Sequence, residues 1–250
     1  MKTWTAITRP VVVVAAALVF SSAAQAGITD PAMRVTATNA TGTGEFIVYL
    51  ANGTTTGDTW EWQSPVGGYD IFNETFDVVA HVDNLYCKMV GDPQITVNFT
   101  ANGGSSATVF TFTSGLMSFP TIASAQGRAS AGITITDDDG DGATLTGGQA
   151  GGNAYRSNYN GTIPAGSTFA NLVGGFAAVP DDSATNSGAA PLIGYSPIAG
   201  PVSDMQAQFS FTISANDQAS GTSFYEIIPT PASAVLMGFA GLVSVSRRRR

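Results

Sequence analysis

Histidine and cysteine are almost missing from this 250-residue chain, which has one of each, His81 and Cys87. A single cysteine excludes an internal disulfide and any cysteine-rich zinc site. A single histidine removes most metal-hydrolase constellations. On a strand, the even spacing of six would put His81 and Cys87 on one face. Thiol-protease pairs of known spacing lie far apart in sequence, so a buried small thiol beside an ordinary strand histidine is the plainer reading. Charge is scarce too, at 11% of residues against roughly 25% in an average soluble domain. Positive charge is the scarcer sign: residues 27–229 keep only Arg34, Lys88, Arg128 and Arg156 but hold all eighteen acidic residues, a net of −14. A nucleic-acid binder needs clustered Lys and Arg to displace counterions from phosphate, so this balance argues against that class. Helix formers are thin as well. The same span has six Leu, four Glu and one Lys, against twenty-five Thr.

Threonine, valine and aromatic residues suit a pleated surface, and period-2 alternation recurs. Phe46, Val48 and Leu50 alternate with Ile47, Tyr49 and Ala51. Ile95, Val97 and Phe99 alternate with Thr96, Asn98 and Thr100, and Phe209, Phe211 and Ile213 with Ser210, Thr212 and Ser214. Phe110 and Phe112 share a face in a further run. Other expected strands are Arg34–Thr38, Thr59–Gln63, Phe76–Val82, Gly132–Thr136 and Ser223–Ile228. Turn signals separate them at Asn52-Gly53, Gly67-Gly68, Asn102-Gly103-Gly104 and Gly147-Gly148. Many short strands with one-sided alternation predict one all-β domain, an antiparallel β-sandwich or jelly roll over residues 27–228, with a closed barrel as the alternative. Residues 174–204, rich in Gly, Ala, Pro and Ser, are expected to form a long loop.

Both ends carry targeting patterns. Lys2 and Arg9 precede an unbroken apolar run from Val11 to Phe20, and Ala24-Gln25-Ala26 has the small-x-small form of a cleavage site. Residues 1–26 therefore read as a secretory signal peptide, with Gly27 as the mature N-terminus. At the other end, residues 229–250 hold Pro229, Thr230, Pro231, Ala232 and Ser233, then a short apolar stretch with Gly238 and Gly241, then Arg247, Arg248, Arg249 and Arg250. A short transmembrane helix closed by a cationic cytoplasmic stop fits this pattern. The arrangement resembles the PEP-CTERM sorting signal, with Thr230 where the name-giving pattern has Glu. The resemblance covers only these last 22 residues or so. It implies bacterial origin, export by the Sec machinery, transient membrane anchoring through the tail, and processing by an exosortase that releases the protein or attaches it at the surface. It implies nothing about the activity of the body.

Candidate sites in the body are few. Asp137-Asp138-Asp139-Gly140-Asp141-Gly142 places carboxylates at the first, third and fifth positions and glycine at the sixth, as in the front half of a Ca²⁺ loop. The twelfth position is Gly148 instead of a bidentate Glu, so an EF-hand is excluded. Asp137, Asp139 and Asp141 are the expected Ca²⁺ ligands, with an exposed acidic hairpin as the plain alternative. Trp60 and Trp62 flank Glu61 and would share a strand face; exposed they form a sugar-stacking platform, buried they are core. Glu61 and Glu74 are conceivable as a glycosidase pair, though nothing in the sequence sets their separation. Asn52, Asn73, Asn98 and Asn160 match the glycosylation pattern, as chance allows in a Thr-rich chain.

These observations lead to an expected exported surface or extracellular-matrix protein, non-enzymatic and associated with extracellular polysaccharide. A carbohydrate-binding module comes second, on Trp60 and Trp62. A secreted hydrolase comes third, on scattered carboxylates alone.

Overall fold

The computed structural model describes residues 26–230. The expected signal peptide up to Gln25, and the tail from Pro231 through Arg250, lie outside the described residues. Among the described residues no helix is long and apolar enough to cross a membrane.

The described chain is all-β and alternates between two sheets. Strands β1 (Gly27–Ile28), β2 (Met33–Asn39) and β3 (Gly42–Val48) belong to the first sheet. Strands β4 (Thr54–Thr56), β5 (Thr59–Gln63), β6 (Tyr69–Phe72), β7 (Val78–Val90) and β8 (Gln94–Asn102) belong to the second. The chain returns with β9 (Thr108–Ser114) and β10 (Met117–Ile122), then crosses again with β11 (Ala125–Thr136). Strands β12 (Thr144–Gly147), β13 (Asn153–Tyr159), β14 (Ser167–Gly174) and β15 (Phe176–Ala177) extend the first sheet. Strands β16 (Ser183–Ala190) and β17 (Ser196–Ile198) extend the second, β18 (Val202–Ile213) is central to the first, and β19 (Gln218–Pro229) is central to the second. Pairings are antiparallel, including the twelve-residue ladder of β11 on β19. The result is a two-sheet sandwich with separate edges, not a closed barrel.

The alternating residues supply the core. Phe110 and Phe112 of β9, Phe209 and Phe211 of β18, and Val97 and Phe99 of β8 are all buried. Phe99 crosses between the sheets. It stacks on Phe112 at 4.1 Å and meets Phe209 edge-on at 5.0 Å. Gly221 on β19 makes room for it, since a Cβ there would lie 2.3 Å from the Phe99 ring.

Three local expectations are corrected. The strand expected over 46–51 ends at Val48, because Asn52 Oδ1 accepts the Tyr49 amide at 2.8 Å and folds Leu50–Asn52 into a 3-10 turn. Phe76 does not begin a strand. Asn73 Oδ1 accepts the Thr75 and Asp77 amides, both at 2.9 Å, leaving Phe76 at φ 64 in the turn. The expected long loop over 174–204 contains β15, β16 and β17. Its Ser, Ala, Thr, Asn and Gly residues show no hydrophobic period because β16 is a sheet edge with exposed alternate positions. Small side chains let it close over β14, where a Cβ on Gly188 would sit 3.4 Å from Leu172.

A bulge in β7 overturns the expected sharing of a face by His81 and Cys87. The register shifts between Asp83 and Tyr86, with Asn84 at φ 49. Before it Ala80 and Val82 point inward; after it Leu85, Cys87 and Met89 do. One inserted residue exchanges the faces, so His81 looks out and Cys87 looks in.

Candidate functional site

One end of the sandwich is strongly acidic. Strand β11 stops at Thr136, and the chain turns through Asp137–Gly142, with Gly140 at φ 84 and Gly142 at φ 99. These left-handed positions suit glycine. Asp137 is buried and organises the loop. Its Oδ1 accepts the Gly140 amide at 3.1 Å, and its Oδ2 accepts the Asp181 amide at 2.6 Å. The Asp181 hydrogen bond, chiefly, holds this carboxyl below its ordinary value. Asp139 Oδ2 accepts the Asn216 side-chain amide at 2.9 Å from the β18–β19 turn.

That turn also delivers Asp217, which the sequence reading missed. Carboxylate oxygens of Asp137, Asp139 and Asp217 all lie within 4.8 Å of one another. Asp217 is 1% exposed, and burial raises its carboxyl above the ordinary value, against hydrogen bonds from Ser214 and Asp138. Asp141, expected as the third ligand, stays exposed beside Asp139; the hydrogen bond shared with that carboxyl, then its charge, pushes Asp141 up. Three hard oxygen donors from two connections suit Ca²⁺, with backbone carbonyls and water completing six to eight ligands. No local signal joins position 217 to position 137; only the hairpin connection brings them together.

The tryptophan pair is inward-facing. Trp60 is 3% exposed and donates its indole N–H to the Leu50 carbonyl at 3.0 Å. Trp62 is half-buried, 5.9 Å from Phe46 and 6.3 Å from Tyr69 between ring centroids. Trp60 is thus core, the other reading of the same alternation, and with it buried the two indoles do not form one exposed platform. Glu61 points outward and receives the Tyr86 hydroxyl at 3.2 Å. Glu74 lies in the β6–β7 turn. Glu61 pairs with Lys88 while that turn lies beyond Val78 on the same strand, a separation of roughly 30 Å at the usual strand rise. Glycosidase carboxyl pairs stand within roughly 10 Å, so these two cannot serve one bond.

His81 donates its Nδ1–H to Asp70 Oδ1 at 2.7 Å and faces Asp83 Oδ2 through Nε2 at 3.2 Å. Cys87 is fully buried and its thiol is pushed up to about 12 by burial. Asn52, Asn73 and Asn160 each use the side chain to hold a turn.

The outer face of the second sheet carries an arrangement that sequence reasoning did not single out. Its outward residues are mostly hydroxyls and amides, joined across strands by Thr100 to Ser220 at 3.2 Å, Thr222 to Asn98 at 2.6 Å and Thr134 to Thr185 at 2.8 Å. Near one end, Arg128 lies between two rings, its Cζ 5.0 Å from the Tyr195 centroid and 4.9 Å from that of Phe224. Arg128 Nε and the Tyr195 hydroxyl both donate to Glu226 Oε2, each at 2.7 Å. Beside this clamp runs an open trough with two stretches of about 340 and 480 Å³ that share Ser130, Ala189, Leu192 and Phe224. The one sequence cue was Leu192-Ile193, two large apolar residues between Pro191 and Gly194; they are 86% and 92% exposed.

No protein-family model matches this chain, and no curated protein does. Among solved structures it is similar to the enzymatically active domain of tailspike protein 4 from bacteriophage CBA120, at 12% identity over 72% of this chain and 22% of that one, TM-score 0.27. It is also similar to the adhesin domain of Epf from Streptococcus pyogenes, at 10% identity over 80% and 59% of the two chains, TM-score 0.29. A third is the family 11 carbohydrate-binding module from Clostridium thermocellum in complex with a β-1,3-1,4-mixed-linked tetrasaccharide, at 9% identity over 66% and 89%, TM-score 0.18. This chain thus spans about a fifth of the tailspike and somewhat over half of the adhesin. Likenesses this distant carry no argument about what it binds.

Proposed function

We propose that this protein is an exported, non-enzymatic component of the bacterial surface or extracellular matrix, associated with extracellular polysaccharide through the β-sandwich body. The carrying observation is the trough on the second sheet, an open depression on a face of hydroxyls and amides, with Phe224 and Leu192 as apolar walls. Long polar chains with apolar C–H faces suit such a surface better than a compact substrate does. The end patterns support the route: a signal peptide cut after Ala26, and a PEP-CTERM-like tail handled by an exosortase. Strand β1 begins at Gly27, and β19 runs through Pro229, with the Thr230 amide donating to the Ser124 carbonyl at 2.9 Å, so the first two residues of the tail motif are part of the folded body.

A second reading is favoured by Asp217 joining Asp137 and Asp139: a Ca²⁺ ion that ties the β11–β12 and β18–β19 connections together.

The test is fractionation of cells expressing the full chain, with mass spectrometry of the product. The surface or matrix fraction should hold protein beginning at Gly27, and enzymatic depolymerisation of the matrix polysaccharide should release it. Replacing Arg247–Arg250 with Ser should reduce membrane retention before processing. Protein that stays in the cytoplasm with Met1–Ala26 intact would overturn the reading.

A further inference from the structure

We propose that the trough over β11 is the polysaccharide site and that its ligand is an electrically neutral glycan chain, an inference that rests on the reading above and adds place and chemical class to it. The floor is made of small outward residues, Ser130, Gly132 and Ala189, which leave depth that larger side chains would fill. Phe224 lines both stretches, and Leu192 rises on the opposite side from the β16–β17 turn. Two apolar walls over a shallow floor of small residues, with the hydroxyls of Ser130, Ser187 and Thr222 along it, match a pyranose, whose ring faces are C–H surfaces and whose rim is hydroxyl. An open trough of two connected stretches suits consecutive units of a chain.

Electrostatics selects the class. Arg128 is the cation of the trough, and Glu226 cancels it through the 2.7 Å bond to Nε. Glu226 Oε2 is in turn occupied by both Arg128 and Tyr195, so neither a carboxylate nor an ammonium group of a ligand meets an uncompensated partner. The surrounding body carries a net charge of −14 over residues 27–229, which repels a polyuronate. What remains for Arg128 is directed donation. Its guanidinium sits over the rings of both Tyr195 and Phe224, and among the described residues its two Nη groups have no hydrogen-bond partner. They are placed to donate to sugar hydroxyls at the trough edge.

The experiment is affinity electrophoresis of the full exported chain through gels containing a neutral glucan, a neutral galactomannan or polygalacturonate. At least one neutral polymer should retard the protein, and polygalacturonate should not. Phe224→Ala should weaken retardation by roughly fivefold, the size of one lost stacking contact. Leu192→Ser, at an exposed turn away from the core, should weaken it without altering the melting temperature. Retardation of the parent with both variants unchanged overturns the site while leaving the polysaccharide reading standing. Retardation by polygalacturonate alone overturns the ligand class. No retardation by any of the three polymers overturns the inference, and matrix fractionation then decides the broader reading independently.

Discussion

The carboxylate of Asp217 accepts the backbone amide of Asp138 at 3.3 Å, joining the β18–β19 turn to the β11–β12 loop. The same aspartate accepts the Ser214 hydroxyl, and its carbonyl accepts the Gly103 amide at 2.8 Å. Asp217 and Asp137 are pushed in opposite directions, the first upward by burial and the second downward by the Asp181 amide. A divalent cation between them would satisfy both and relieve the repulsion that Asp139 adds.

Ca²⁺ is therefore expected to raise the thermal midpoint of the exported protein. The missing twelfth-position Glu points to a dissociation constant of roughly 0.1–1 mM, and ten times that concentration stabilises by about 1.4 kcal/mol. Differential scanning calorimetry with Ca²⁺ and with chelator checks this. Asp139→Ala should lose the shift, and KCl at equal ionic strength should not reproduce it, because screening lacks directed coordination. Coincident melts under all conditions would leave the loop a solvated acidic turn.

His81 is expected to make stability fall as pH rises above 6.5. The Asp70 hydrogen bond, foremost, raises the imidazole above its ordinary 6.5. Protonation is thus favoured by folding, so the contribution is complete below pH 6.5 and is lost as pH rises through the higher folded value. Urea titrations of the parent and Asp70→Asn across this window should diverge at acid pH and converge at alkaline pH. Equal stability differences at both ends would remove the linkage.

Trp60→Ala should destabilise the fold by about 3–5 kcal/mol, as expected for a large buried aromatic. It also removes one of two donors to the Leu50 carbonyl, which keeps the Gly53 amide at 3.2 Å. Trp62→Ala, at a half-buried position, should cost clearly less. Denaturant midpoints of the two variants decide it, and similar losses would mean that Trp62 is as much core as Trp60.

Cys87 should resist alkylation in the native protein and react fully after denaturation. Burial that raises the thiol to about 12 suppresses the thiolate, which is the reactive form. Rapid native labelling by iodoacetamide, read by intact mass, would contradict the inward placement after the β7 bulge.

Strand identity and strand faces were legible wherever the alternation was strong. Ile95, Val97 and Phe99, like Phe209, Phe211 and Ile213, are buried as their period-2 pattern requires, because which side of a strand a residue takes is a local property. Where hydrophobic contrast vanishes, as over Ser183–Ala190, the local signal vanishes with it, although the ladder to β11 is complete.

The sequence alone determined the all-β class, the acidic body, the glycines at Gly140 and Gly142, and the carboxylates at Asp137 and Asp139. Only the tertiary structure decided that Asp217 joins Asp137 and Asp139, that His81 and Cys87 face opposite ways, and that Arg128 meets Tyr195, Phe224 and Glu226. The physical reason is that alternation specifies a face but not a neighbour. Neighbours are set by which strands pair across the long antiparallel crossovers, and a single inserted residue such as that at Asn84 reverses every face beyond it.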